Sequence, residues 1–194
     1  MIDLKGVRVG FVMTGSFCTF AEAFAAAEAL RQAGASLLPV MSEHAAGTDT
    51  RFGSALSHIQ RLEAICEKPV IRSIPEAEPI GPKHLTDILV VAPCTGNTLA
   101  KLAASITDTT ATMAVKSHLR TGNPVVLAVA TNDALAGSAK NIGQLLNLKH
   151  YRFVPFGQDQ PAGKPTSLIA DFTKIPQTLA DALDGKQQQP ILLS

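Results

Sequence analysis

The stretch that decides the fold is Val7-Arg8-Val9-Gly10-Phe11-Val12-Met13-Thr14-Gly15-Ser16-Phe17-Cys18-Thr19, which runs directly into Phe20-Ala21-Glu22-Ala23-Phe24-Ala25-Ala26-Ala27-Glu28-Ala29-Leu30. The run Val7–Val12 is mainly apolar rather than alternating, which marks a strand buried on both faces. A turn of Gly and hydroxyl residues follows. Then Phe20, Phe24, Ala27 and Leu30 fall on one helical stripe, with Glu22, Arg31 and Gln32 elsewhere, and the helix predicted over Thr19–Ala33 stops at Gly34. A buried strand handing over to an amphipathic helix is the opening of a βαβ unit.

Working outward, the same pattern recurs. Apolar runs at Ser36–Val40, Ile88–Ala92 and Val125–Ala130 are each followed by Gly, Pro, Ser, Thr or Asn. Helical spacing is read at Ser54–Glu67, Thr98–Ala104, Ala111–Arg120, Asn141–Leu146 and Thr173–Leu183. Alternating strands and helices joined by right-handed crossovers predict an α/β fold, a three-layer α/β/α sandwich with a mostly parallel sheet. Residues 1–186 read as a single domain, and Gln187-Gln188-Gln189-Pro190 as part of a loose C-terminal tail, 187–194.

Composition narrows the function. The 194 residues carry 17 Lys and Arg against 16 Asp and Glu, and no two basic residues are adjacent. A nucleic-acid or anionic-membrane binder shows a clustered positive footprint, so neither partner is expected. No apolar run reaches the roughly 20 residues that cross a bilayer, and the start lacks a secretion signal. The three cysteines, Cys18, Cys66 and Cys94, are too scattered for a disulfide framework or a zinc motif. His44, His58, His118 and His150 have no ligand spacing with Cys or carboxylates, so no metal site is expected. A reduced, cytoplasmic protein is the simplest reading.

In such sheets ligands collect at the carboxyl ends of the strands. Three polar loops converge there. After the first strand, Thr14-Gly15-Ser16 leads into a helix whose free N–H groups suit a phosphate; the competing reading is that Ser16 or Thr19 merely caps the helix. After the third, Pro93-Cys94-Thr95-Gly96-Asn97-Thr98-Leu99-Ala100-Lys101 offers a second anion-binding or cofactor-edge loop, or again a capped helix with Lys101 solvated. After the fourth comes Thr131-Asn132-Asp133. None of the loops pairs a nucleophile with a base, and no residue is assigned a catalytic role. The three-glycine dinucleotide fingerprint is missing.

Thr14-Gly15-Ser16, the Pro93-x-x-x-Asn97-Thr98-x-x-Lys101 segment and Asn132 resemble the flavoprotein superfamily of phosphopantothenoylcysteine decarboxylase, the lantibiotic cysteine decarboxylases and the prenyl-FMN synthases. The likeness spans roughly residues 5 to 156. Asp49-Thr50-Arg51-Phe52-Gly53, Ala77–His84, Ala130–Leu135 and Phe153–Asp159 are similar to one branch of it, the B-subunit family of dipicolinate synthases in spore-forming bacteria, over nearly the whole chain. The resemblance implies a Rossmann-like, flavodoxin-like flavoprotein fold in the mother-cell cytoplasm. The chain would act with the A-subunit of dipicolinate synthase, which carries NAD(P), to oxidise a dihydrodipicolinate-level lysine-pathway precursor to dipicolinate during sporulation. By motif position Thr14, Gly15, Ser16 and Ser42 would lie at an FMN phosphate. Thr95, Gly96, Asn97, Thr98 and Lys101 would border the ring and ribityl chain, and Asn132 would close the site. Assembly as a homo-oligomer is also implied, since superfamily members often build flavin sites between protomers of trimers; the Ala-rich first helix suits close packing. Arg51, in the Asp-Thr-Arg-Phe-Gly segment, is the candidate for a dicarboxylate, ahead of Arg120, which suits a helix end.

Departures from the superfamily qualify this. The catalytic His of its decarboxylases falls at Pro79, with His84 out of register in what reads as a surface turn, which disfavours decarboxylation. The usual Pro-x-Met-Asn keeps only Asn132, and Val12 stands where a Gly precedes the Thr-Gly-Ser, which would crowd a cofactor. Cys18 and Cys94 share the sheet edge and would approach each other or a flavin, or serve as small buried hydrophobes. Two readings stay open: a flavin- or substrate-holding subunit, and a cofactor-free partner that stabilises the A-subunit. A free-standing flavin-dependent decarboxylase is a third, weaker one.

Overall fold

A computed structural model describes residues 2–193. The elements in chain order are β1 (Arg8–Met13), α1 (Phe20–Gln32), β2 (Ser36–Met41), α2 (Glu43–Gly47), α3 (Ala55–Cys66), α4 (Ile74–Ala77), β3 (Ile88–Cys94), α5 (Gly96–Ala103), α6 (Thr110–Leu119), β4 (Val125–Thr131), α7 (Ala139–Leu146), β5 (Tyr151–Phe153), β6 (Phe156–Gly157), β7 (Leu168–Ala170) and α8 (Ile175–Leu183). The four apolar runs are the strands β1 to β4, their bounds moved by one or two residues at most. Every residue of β3 is buried, as are the first six of β4, which is why these runs show no polar alternation.

The sheet has seven strands in the order β2-β1-β3-β4-β7-β6, with β5 also on β4. β1, β2, β3, β4 and β5 pair in parallel, whereas β7 runs antiparallel to β4 and β6 antiparallel to β7. The sheet is therefore mixed, with its antiparallel part at one edge. β5 and β7 divide β4 between them, β5 beside Val125–Leu127 and β7 beside Ala130–Thr131. This brings the segment linking β6 to β7 to the carboxyl end of β4. Helices flank the sheet: α1 packs with α3 and α8, and α5 with α6 and α7. The core is dominated by Ala, Val, Leu and Ile, with Phe11, Phe20, Phe24 and Phe153 as its largest fully enclosed rings.

Two expectations need correction. Val12 lies wholly buried between Val40 and Val91 in the sheet and crowds neither cleft described below. The terminal segment is docked rather than loose. The Gln187 side chain accepts from the Phe153 N–H and donates to the Phe153 carbonyl, at 2.8 and 2.7 Å, continuing the edge beyond β5 as a strand would. Ile191 and Leu193 then exchange backbone hydrogen bonds with Phe156.

Candidate functional site

The strand order reverses at β1, with β2 on one side and β3 on the other, and in a doubly wound sheet of this order that switch point opens a crevice at the carboxyl ends. Two clefts lie there, of about 300 and 450 Å3, and Gly15, Thr95 and Asn97 form the ridge common to both. The first continues over Ser16, Cys18, Gly96, Thr131 and Asn132 to Asp159, Lys164 and Ser167. The second is walled by Thr14, Ser42, Glu43, His44, Thr98 and Lys101. The structure thus brings together Thr14, Gly15, Ser16, Ser42, Thr95, Gly96, Asn97, Thr98, Lys101 and Asn132. Arg51 alone stands apart: it is exposed, outside both clefts, its guanidinium 4.9 Å over the Phe52 ring.

The side chains divide into those that build the ridge and those left facing the clefts. Thr14 is buried; its hydroxyl donates to the Pro93 carbonyl at 2.7 Å and accepts the Thr95 N–H at 3.1 Å, bracing the ends of β1 and β3 together. Thr95 caps α5 by accepting from the Thr98 N–H, and Ser42 caps α2 by accepting from Ala45. Neither Ser16 nor Thr19 caps a helix with its side chain, so that reading of the first loop is set aside. Ser16 has Cys18 Sγ 3.8 Å away. Asn97 is exposed in the first turn of α5, where the Gly96 and Asn97 N–H groups have no partner within the helix. Asn132 is exposed and its carbonyl accepts from the Thr166 hydroxyl at 2.6 Å.

The two glycines at the ridge differ in cause. A Cβ on Gly96 would sit 2.7 Å from Asp133 Oδ1 and Thr131 Oγ1 and 2.8 Å from Ser138 Oγ, so this glycine is demanded by close packing. Gly15 has no positive φ, and a Cβ there meets nothing nearer than 3.6 Å. Nothing inside the protein calls for Gly at 15, while bare backbone is what a ligand at close approach requires. Clefts of this size, lined by hydroxyls, amides and unpartnered helix N–H groups, fit a mononucleotide.

The charged groups are largely committed. Lys101 pairs with Asp108 at 2.7 Å, which holds the Asp108 carboxyl below its usual range through hydrogen bonding to the lysine. Glu43 accepts from both the N–H and the hydroxyl of Thr110 at the start of α6. Asp159 pairs with Lys164 at 3.1 Å. Cys94 is fully buried, its thiol pushed up by desolvation, whereas Cys18 is exposed; both are free, so the two sulfurs do not pair. His84 is exposed with φ +48°, as a surface turn requires, and Pro79 lies in the short 3-10 segment Glu78–Ile80. Among the described residues no His, Cys, Asp and Glu cluster suits a metal, and no helix is long and apolar enough to cross a membrane.

Sequence reasoning missed Asp159, Lys164 and Ser167, which reach the first cleft from the β6–β7 connection. Their spacing carries no signal; only the antiparallel return of β7 onto β4 places them there.

A mixed α/β sheet with mononucleotide-sized clefts at its switch point is a flavoprotein-type domain, and the Flavoprotein family model matches residues 2–181, so the chain belongs to that family. Within it the chain is 43% identical over 193 residues to the B-subunit of dipicolinate synthase from Bacillus subtilis (strain 168), covering 100% of this chain and 96% of the relative. The crystal structure of the dipicolinate synthase B-subunit from Bacillus halodurans superposes with TM-score 0.91 at 42% identity, over 99% of this chain and 98% of that one. The chain belongs to the B-subunit family of dipicolinate synthases. The FMN-dependent cysteine decarboxylase SpaF shares the fold, with TM-score 0.68 at 24% identity over 92% of this chain and 98% of that one.

Proposed function

We propose that this chain is the flavin-binding subunit of a dipicolinate synthase, holding FMN across the two clefts and acting with a separate A-subunit that binds NAD(P). The observation that carries the reading is Gly15, a bare stretch of backbone shared by both clefts that neither conformation nor packing explains. Full-length similarity to a protein named for this synthase supports the subunit role.

Converting a dihydropyridine dicarboxylate to dipicolinate removes two electrons and two protons. When bound, FMN supplies a two-electron acceptor and donor. The chain's own residues would bind and orient it: Ser16, Ser42 and the start of α5 would hold the phosphate and ribityl hydroxyls, and Asn97 and Asn132 would border the ring. The β6–β7 connection, tied by the Asp159–Lys164 pair, forms the far wall of the first cleft. Among the charged groups that line the clefts, Lys101, Glu43, Asp159 and Lys164 are committed to partners, so His44 in the second cleft is the candidate proton carrier on this chain, beside the substrate, water and the A-subunit. Decarboxylation lacks its acid–base group, since that position is Pro79. A homo-oligomer in the mother-cell cytoplasm completes the reading.

One observation favours a second version, in which the fold is kept without cofactor and serves to complete the A-subunit. Both cleft lysines are paired, Lys101 with Asp108 and Lys164 with Asp159. The test of the shared role is dipicolinate formation from the lysine-pathway precursor by the A-subunit alone, this chain alone and both together. Activity confined to the mixture is expected; an A-subunit undiminished on its own would remove the role.

A further inference from the structure

Beside the first cleft, and sharing Cys18 with it, a third pocket of about 270 Å3 opens between α1 and α3. Its walls are Phe17, Phe20, Phe24 and Phe52, and the first three rings form a continuous cluster. Phe17 and Phe20 have centroids 5.0 Å apart, and Phe20 meets Phe24 edge-on at 6.0 Å. His58 enters from α3 edge-on to Phe20 at 4.9 Å. Its Nε2 is, among the described residues, the buried side-chain polar atom left without a protein partner.

The pocket is also cationic. Arg61 lines it with its guanidinium 4.6 Å over the Phe24 ring, and Arg51 lies over Phe52 in the same way. Stacking holds a guanidinium flat while leaving its N–H fork in plane for a carboxylate. Among the described residues the one acid that touches Arg61 is Glu28, by a single contact at 3.4 Å, so most of its donors are uncommitted there. Among the described residues no carboxylate lines the pocket. The volume is at the low end for ligand sites, suited to one substituted ring rather than a nucleotide.

We propose that this pocket binds a planar ring carrying two carboxylates, with the ring against the phenylalanines and the carboxylates on Arg61 and Arg51. The inference deepens the dipicolinate synthase reading and rests on it for the identity of the ring. It makes Arg61, which no motif singles out, the principal carboxylate partner, and gives the exposed Arg51 a role at the rim. The shared Cys18 places the ring next to the cleft assigned to the flavin.

The test is calorimetric titration of the full-length chain with pyridine-2,6-dicarboxylate, with pyridine-2-carboxylate as control and FMN in parallel. The dicarboxylate binds more tightly than the monocarboxylate and moves the His58 imidazole resonances in NMR spectra. Arg61→Ala weakens dicarboxylate binding by about tenfold or more, the scale of a lost charged hydrogen-bond pair; Arg61→Lys retains part of it, and neither changes FMN affinity. Arg61 is half-exposed, so both variants fold. Absence of heat and of any His58 shift, equal affinity for the two pyridines, or wild-type titration by Arg61→Ala overturns the proposal. FMN binding without dicarboxylate binding sinks this pocket and leaves the flavin reading standing. Arg61-dependent dicarboxylate binding without FMN binding does the reverse.

Discussion

The Thr14 hydroxyl lies between two strands, donating to the Pro93 carbonyl at 2.7 Å at the end of β3 from its own place after β1. Because the same oxygen accepts the Thr95 N–H, one side chain fixes the spacing of the loops that border both clefts. Thr14→Val keeps the shape and leaves the Pro93 carbonyl and Thr95 N–H without their partner. The expected cost is about 1–3 kcal/mol in urea unfolding, the penalty of stranded buried polar groups. Thr14→Ser restores most of it, and a Thr14→Val unfolding curve equal to wild type would remove the bracing role.

The ridge glycines separate folding from binding. Gly96→Ala drives a methyl against Asp133, Thr131 and Ser138 and is expected to destabilise the domain by about 1–3 kcal/mol. Gly15→Ala meets ordinary contacts only and leaves the unfolding midpoint near wild type, while FMN affinity falls by about tenfold, or roughly 1.4 kcal/mol. Unfolding and FMN titration of both variants give the comparison; the two losing stability equally would contradict it.

Burial lowers the pKa of two histidines. For His58 desolvation dominates and Arg61 adds to it; for His118 desolvation outweighs the Pro124 carbonyl and Asp87. Burial favours the neutral imidazole of His118, whose Nε2–H donates to the Pro124 carbonyl while Nδ1 faces the Thr86 hydroxyl at 2.8 Å. A histidine with a depressed folded pKa binds its proton more readily when unfolded. Stability therefore declines as pH falls through the unfolded value of about 6.5 and keeps declining toward the folded pKa, by at most about 1.4 kcal/mol per pH unit for each histidine. Urea midpoints between neutral and mildly acid pH are expected to drop, and His58→Phe to flatten the slope. A midpoint that rises on acidification would contradict the assignment.

The three thiols differ in access. Cys66 is buried, with its thiol pushed up to about 12 by desolvation, Cys94 is buried deeper still, and Cys18 is exposed. Iodoacetamide on the native protein is expected to modify Cys18 alone, and FMN to slow it, since Cys18 borders the first cleft. Mass mapping that finds Cys94 alkylated in the native state would show the carboxyl end of β3 to be open.

Much of the fold was legible from residues whose signal is local. Val9, Ile88 and Val125 start runs buried on both faces, so continuous hydrophobicity located the central strands, and loops after such strands must meet at one edge. Thr14, Thr95 and Asn132 were found because topology brings their loops together. What local signals left out depends on long-range contacts. Glu43–Gly47 and Ile74–Ala77 are too short to show a helical period. Tyr151–Phe153, Phe156–Gly157 and Leu168–Ala170 are strands of two or three residues held by their neighbours. Gln187 reads as part of a polar tail, yet its amide completes the edge beside Phe153. Arg61 joins Phe24 only across the α1–α3 contact, and no spacing along the chain announces that pair.

Flavin capture at the Gly15–Thr95–Asn97 ridge is the step on which the proposed role most depends. The measurement is the visible absorbance spectrum of the full-length protein after incubation with FMN and gel filtration, compared with Asn97→Ala and Gly15→Ala. Flavin bands co-eluting with wild type at about one equivalent per chain, and reduced in both variants, are the predicted result. Wild-type protein emerging free of flavin, or variants that retain it fully, would contradict flavin binding at this ridge.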